Sequence, residues 1–178
     1  ARGIPLPSRY GYSRGLASAK FFAKAGARVT VTDLRDEKIL APSIQALDGH
    51  DVRFVLGKHE LEDFRWADLV IKNPAVRGPS PYLAAARHVE TDISVFLRYS
   101  KSPLVAVTGS KGKSSTVSAI HHGFIASGIQ SLLGGNITIS PLEFLGETAP
   151  DRPVTLELSS WQLADMRGLG VLKPRAAL

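Results

Sequence analysis

Cysteine is absent from the 178 residues. That excludes disulfides and thiolate metal sites, and it is compatible with a cytoplasmic protein. Long hydrophobic runs are absent as well. No apolar stretch approaches the roughly 18 residues of a membrane-spanning helix and no segment reads as a signal peptide, so no membrane partner is expected. There is no repeat, no low-complexity tract and no basic tract. The 22 Lys and Arg outnumber the 16 Asp and Glu, for a formal net charge of +6. These cations are scattered, in pairs at most, with no basic stripe interleaved with aromatics. The excess therefore points to a phosphorylated small molecule, and nucleic acid is not expected as a partner. The 44% apolar and 21% charged residues are ordinary for a globular chain and argue against global disorder.

What is present is an alternation of strand and helix signals. The opening "ARGIPLPSRY" holds two prolines and does not read as a core strand. From Gly15, the residues Leu16, Ala19, Phe22 and Ala23 recur at helical spacing, with Gly26 at the C-cap position. "ARVTVTD" alternates and is β-branched, predicting a strand that ends on Asp33. Residues 36–47 read as a weaker helix, "ADLVIKN" as a buried strand, and "PSPYLAAARH" as a helix opened by proline. A short helix follows in "DISVFLRYS", with Asp92 as its cap. Residues 101–103 form the expected junction. Beyond them come a strand "PLVAVT", a glycine turn, a helix to about Ala126, a loop "LGGNITIS", a strand "PVTLEL" and a polar turn "SSWQ". The closing "KPRAAL" reads as the start of another strand. This order predicts an α/β chain with parallel sheets, divided into residues 1–99 and 100–178.

The stretch "VAVTGSKGKSSTVSAI" carries the strongest chemistry. A phosphate is stabilised at a helix N-terminus by backbone N–H groups without partners and by the positive end of the helix dipole. Glycines let the backbone approach the oxygens, a lysine adds charge, and a following hydroxyl can ligate Mg²⁺. Those parts are Gly109, Gly112, Lys113 and Ser114. The standard spacing G-x-x-x-x-G-K-[ST] would put its first glycine on Val107, so the loop is a shortened version. A glycine-rich turn with surface lysines is the bland alternative. The next acid at a strand end is Glu157 in "VTLELSSWQL", where an open parallel sheet would place a Mg²⁺ ligand. It could equally be an exposed strand-end carboxylate, with Ser159 and Ser160 as cap residues. His121 and His122 are expected to be surface or packing residues, and Trp66 and Trp161 core or partly buried anchors.

Taken together, "TGSKGKSS", "GGNI" and "LELSSWQL" resemble the Mur ligase family, and within it the branch that adds D-glutamate. "TDLR", "IKNPAV" and "ETDISVFL" resemble it upstream, so the likeness covers about residues 15–178. It implies a Rossmann-like domain for a UDP-linked substrate, followed by part of a P-loop ATPase domain. It also implies ATP and Mg²⁺ as cofactors, and UDP-N-acetylmuramoyl-L-alanine and D-glutamate as substrates. The full-length protein would be a cytoplasmic monomer serving peptidoglycan synthesis. Lys113 would neutralise the β/γ-phosphates, and Ser114 and Glu157 would hold the metal. Gly109, Ser110, Lys111, Gly112 and Ser115 would complete the loop, and Asn136 would bond the muramoyl substrate. Ser13, Arg14 and Gly15 would lie against the diphosphate, with Asp33 and Arg35 at the uridine end and Asn73 and Pro74 lining the pocket. Read as residues alone, Asp33 could cap a turn, Arg35 could be solvated, and Asn73-Pro74 could be turn chemistry.

The sequence departs from the family in three places. Tyr10 and Tyr12 stand where the outer glycines of a first dinucleotide-type turn would fall, so the first strand is expected to be missing, displaced or replaced. Lys111 stands where asparagine is common, as it does in folylpolyglutamate synthases, a rival assignment. The residues after "KPRAAL" that would bring a second metal ligand and D-glutamate are not in this sequence. A fragment inactive by itself is therefore expected. A nucleotide-binding module without catalysis and a dinucleotide oxidoreductase are the alternatives from other classes.

Overall fold

The structure is a computed structural model that describes residues 13–76, 78–136 and 139–178. Expectations placed on residues 1–12, including Tyr10, Tyr12 and the missing first strand, lie outside the described residues. So do the side chains of Ser13 and Arg14.

The chain alternates helix and strand. Helix α1 (Ser13–Lys24) ends before Gly26, whose φ of 82° is the left-handed geometry that glycine tolerates best. Strand β1 (Val29–Asp33) leads to α2 (Glu37–Gln45), where the Asp36 carboxylate accepts the Ile39 N–H at 3.0 Å. Then come β2 (Val52–Leu56), α3 (Leu61–Trp66), β3 (Val70–Ile71), α4 (Pro81–Ala85, capped by Ser80) and β4 (Val89–Glu90). Helix α5 (Asp92–Tyr99) closes this half. The second half holds β5 (Leu104–Val107), α6 (Lys113–Ala126), β6 (Leu132–Gly135), a 3-10 helix (Pro141–Glu147), β7 (Val154–Glu157), α7 (Ser160–Asp165) and β8 (Ala176–Ala177).

All strand pairings between these elements are parallel, as the α/β alternation predicts. In the first half β1 pairs with β2, and β3 with β4. In the second half four strands run in the order β6-β7-β5-β8. The expected strand in "KPRAAL" is β8, at the sheet edge. No helix among the described residues is long and apolar enough to cross a membrane.

The core belongs mainly to the second half but recruits the first. Leu104, Ala106, Val154, Leu156 and Leu158 of the sheet pack with Ile93, Val95 and Phe96 of α5. The Phe96 ring meets Phe144 of the 3-10 helix edge-on, with centroids 5.5 Å apart. Phe21 and Phe22 of α1 pack against the same cluster. Two polar bonds add to this seam. The Ser140 hydroxyl donates to the buried Asp92 carboxylate at 2.9 Å, and the Lys72 ammonium meets Asp165 of α7 at 2.5 Å.

Four local expectations are corrected. "LGGNITIS" is not simply a loop, because its first residues are strand β6. Strand propensity disfavours glycine, but a Cβ on Gly135 would lie 2.2 Å from the Glu157 carbonyl oxygen, and one on Gly134 would lie 2.8 Å from the Phe144 ring. Asp92 is not the cap of α5. Thr91 is, with Ser94 returning the bond in a capping box, and Asp92 occupies the first helical position. "SSWQ" is not a free turn, since Ser159 and Gln162 form a second capping box that starts α7. Trp66 and Trp161 are 56% and 49% exposed, not core residues. The Arg28 guanidinium stacks on Trp66 at 4.6 Å, which accounts for an aromatic tolerated there. Strand β2 and helix α3 arise in a stretch where the sequence predicts no element.

Candidate nucleotide and metal-ion site

The turn between β5 and α6 is built by two glycines. Gly109 has φ 137° and Gly112, the N-cap of α6, has φ 80°. Neither conformation suits a residue with a Cβ, and no side chain caps the helix. The first N–H groups of a 14-residue helix are thus not taken by a side-chain cap. Lys113 folds back over the loop, its ammonium donating to the Gly109 carbonyl at 2.8 Å. Thr116 closes the first turn by donating to the Gly112 carbonyl at 2.9 Å. Ser110, Lys111 and Ser115 are exposed around this frame.

Glu157 ends β7, the strand between β6 and β5, so parallel pairing carries its carboxylate to the end of the sheet where the glycine turn lies. It is only 3% exposed. Both oxygens are bonded: the Ser114 hydroxyl donates to Oε2 at 2.7 Å, and the Asn136 side-chain amide to Oε1 at 3.2 Å. The Asn136 backbone N–H also donates to the Glu157 carbonyl at 2.7 Å. The absence of a Cβ on Gly135 is what lets the two strands approach here. Lys113, Gly109, Ser114, Glu157 and Asn136, from three separate elements, are therefore gathered at one corner. An exposed strand-end carboxylate is not what Glu157 is.

These donors suit a hard divalent cation. Cis ligands of an octahedral Mg²⁺ lie about 2.9 Å apart, given metal–oxygen distances of about 2.0–2.1 Å. Ser114 Oγ and Glu157 Oε2 are already at 2.7 Å. Among the described residues no group of three or more His, Asp or Glu gathers as a metal site. Such a cation would therefore rely on water and phosphate oxygens for its other positions, the usual habit of Mg²⁺.

The first half presents a second, smaller group. Asp33 ends β1 and receives Arg35 in a two-pronged pair. Arg35 Nε and its backbone N–H both reach Oδ1 at 2.9 Å, and Nη2 reaches Oδ2 at 2.5 Å. The Arg35 hydrogen bonds hold the Asp33 carboxyl below its ordinary value, against burial, which pushes the other way. Asn73 accepts the Ala75 N–H on its side chain at 2.9 Å, an Asx turn, so the turn reading of Asn73-Pro74 describes its local contacts. Gly15 lies in the first turn of α1 and is exposed.

Residues 11–95 match the family model of the Mur ligase MurD-like, N-terminal domain. This stretch is a Mur ligase MurD-like N-terminal domain. It is 52% identical over 180 residues to the UDP-N-acetylmuramoylalanine–D-glutamate ligase of Treponema pallidum (strain Nichols), a match covering 92% of this chain and 34% of that protein. The ligases of the same name from Borreliella afzelii (strain PKo) and Geobacter metallireducens are 47% and 42% identical, covering 85% and 92% of this chain and 34% and 36% of theirs. The chain thus spans about a third of the length of these relatives. A solved pseudomurein peptide ligase type C from Methanothermus fervidus is 23% identical over 84% of this chain and 32% of its own, with a TM-score of 0.39.

Within the MurD-like domain one feature has no sequence signal. His59, just after β2, sits beside Asp33 with its ring held by Thr32, Phe64 and Tyr82. A lone histidine in "LGKHE" matches no motif, and only the pairing of β2 with β1 brings it to the Asp33 end. His121 also differs from a plain surface residue, because its ring shares a 2.5 Å hydrogen bond with the buried Ser131 hydroxyl.

Proposed function

We propose that this chain supplies the UDP-substrate and ATP-binding portions of an ATP- and Mg²⁺-dependent ligase that joins D-glutamate to UDP-N-acetylmuramoyl-L-alanine. On this reading residues 1–99 hold the UDP-linked substrate and residues 100–178 hold ATP, in a cytoplasmic enzyme of peptidoglycan synthesis that is monomeric at full length. A carboxylate is a poor electrophile. The substrate carboxylate would take the γ-phosphoryl group, releasing ADP, and the amine of D-glutamate would then attack the acyl carbon. Phosphate leaves as the amide forms and the amine sheds a proton.

The observation that carries the proposal is the Ser114–Glu157 pair lying beside the open N-terminus of α6. ATP supplies the phosphoryl group and Mg²⁺ neutralises its charge when both are bound. The chain's own contribution is preorganisation. Gly109 and Gly112 shape the turn, and Lys113 exchanges the Gly109 carbonyl for phosphate oxygens, trading one acceptor for a charged one. Ser114 Oγ and Glu157 Oε2, joined by a hydrogen bond in the metal-free structure, would hold the cation. Asn136 holds the other carboxylate oxygen, which fixes the direction of Glu157 while leaving the exposed Asn136 side chain beside the muramoyl end of the substrate. Lys111 adds charge facing the triphosphate, and the backbone of Ser110 and Ser115 completes the cradle. Ser13, Arg14 and Gly15 would face the diphosphate, and Asp33, Arg35, Asn73 and Pro74 the rest of the UDP pocket.

Calorimetric titration of the 178-residue chain tests this. ATP·Mg²⁺ and UDP-N-acetylmuramoyl-L-alanine should each bind, NAD should not, and Glu157→Gln should weaken ATP far more with Mg²⁺ than without. Binding of NAD with no response to ATP would overturn the assignment. Phosphate release with D-glutamate present is expected to be negligible from residues 1–178 alone, which separates binding from turnover.

A further inference from the structure

Asp92 and Ser140 are residues of the kind that cap helices. Yet Thr91 caps α5, and Ser140, at the N-cap of the 3-10 helix, makes no side-chain bond to that helix. The two side chains meet each other instead, the Ser140 hydroxyl donating to Asp92 Oδ2 at 2.9 Å across 48 residues of sequence. Both are buried, with 1% and 0% exposure. A buried carboxylate is costly to desolvate, and the Phe96–Phe144 contact already packs α5 on the 3-10 helix. What a directional, charge-assisted bond adds here is position.

The stretch it positions follows β6. Asn136 is exposed and lies four residues before Ser140, a reach of at most about 14 Å. Ile139 is exposed too, so Ser140 is where the chain is fixed to the core again. Gly134 makes room for this return, since the Ile139 carbonyl oxygen lies 3.6 Å from where its Cβ would be. At the other end, Asn136 donates its backbone N–H to the Glu157 carbonyl at 2.7 Å and its side-chain amide to Oε1 at 3.2 Å. Where Asn136 is held therefore decides how that carboxylate oxygen is held.

We propose that Asp92 is a positioning residue for the metal site. Through Ser140 it fixes the stretch that carries Asn136, and through Asn136 it sets the direction of the Glu157 carboxylate. The contacts run Asp92–Ser140–Asn136–Glu157 and start on α5, so the first half of the chain sets geometry in the second. The assignment rests on the proposed ATP·Mg²⁺ site and adds a residue that acts on it only through others.

Calorimetric titration of the 178-residue chain with ATP, with and without Mg²⁺, gives the Mg²⁺ gain, the ratio of the two dissociation constants. Asn136→Ala should cut the gain about tenfold, as loss of an outer partner of a metal ligand does. Ser140→Ala removes the Asp92 bond with little volume and should cut the gain about threefold, while ATP affinity without Mg²⁺ stays within about twofold. In the Asn136→Ala background Ser140→Ala should cost nothing further, because its route to Glu157 is gone. Leu104→Ala, at the other end of β5 in the same core, should lower stability in urea yet leave the gain unchanged. Additive losses in the double variant overturn the proposal, and so does a loss in Leu104→Ala equal to that in Ser140→Ala. Hydrogen exchange of the unaltered, metal-free chain needs no variant and stands even where Ser140→Ala fails to fold. The Asn136 N–H should be protected to within about tenfold of the core Leu158 N–H, and exchange at the rate of an unbonded loop amide overturns the assignment. If the unaltered chain binds ATP no better with Mg²⁺, the metal site itself is wrong and this assignment goes with it. A normal gain that Ser140→Ala leaves intact removes Asp92 alone.

Discussion

Strand β7 is buried along its whole length, whereas β1 is only half-buried at each of its five residues. That contrast runs through the two halves. The second half inserts β7 between two neighbours, closes a hydrophobic core around it, and holds Glu157 at its end with both oxygens bonded. Among the described residues the first half is built from two separate strand pairs, and its candidate site is a patch of single side chains after β1 and β2. A phosphate site made of backbone amides needs a rigid frame and a glycine pattern. A nucleoside site can be assembled from side chains that share nothing in sequence except arrival at the same strand ends.

The comparison can be broken by experiment. The largest expected effect is on the frame of the second half. Gly135→Ala puts a Cβ 2.2 Å from the Glu157 carbonyl oxygen at a residue with φ 97°, and should cost about 3 kcal/mol or more of stability, read by urea denaturation. A loss below about 1 kcal/mol would mean that β6 and β7 can separate without consequence. Next, Phe96→Ala should cost about 3–5 kcal/mol. Because Phe96 belongs to α5 yet lies in the core of the second half, the two halves should still unfold in one transition, only earlier. Two resolved transitions in the unaltered protein would contradict the shared core.

Lys113→Ala should weaken ATP·Mg²⁺ binding by about 10–100-fold through loss of a charge-assisted contact, while UDP affinity stays within about twofold. Equal losses for both ligands would erase the distinction between the halves. The smallest effect concerns His121, whose ring burial, with a contribution from His122, depresses its proton affinity. The unfolded chain then binds that proton more readily, so stability should fall as pH drops below about 6.5 toward the folded value, and should be flat above it. His121→Gln should flatten that slope in melts compared between pH 7 and pH 5, and an unchanged slope would place the acid sensitivity elsewhere.

Legibility followed the same division. The glycine turn, its lysine and the helix behind it could be read directly, because a left-handed turn demands glycine and a phosphate demands N–H groups and charge. Glu157 could be placed at a strand end from its apolar run. The glycine-rich β6 was read as a loop because the reason for its glycines is contact with Phe144 and Glu157, far away along the chain. Asp92 and Thr91 are both good cap residues, and only the reciprocal bond with Ser94 separates them.

By itself, the order of residues determined the α/β alternation, the parallel sheets and the glycine turn, since these arise from local periodicity and from backbone geometry that few residues permit. The tertiary structure alone decided that Ser114 and Asn136 converge on Glu157, that α5 joins the second core, and that His59 stands beside Asp33. These depend on which strands lie side by side, and strand pairing is set by burial across the whole sheet, which no short stretch of sequence contains.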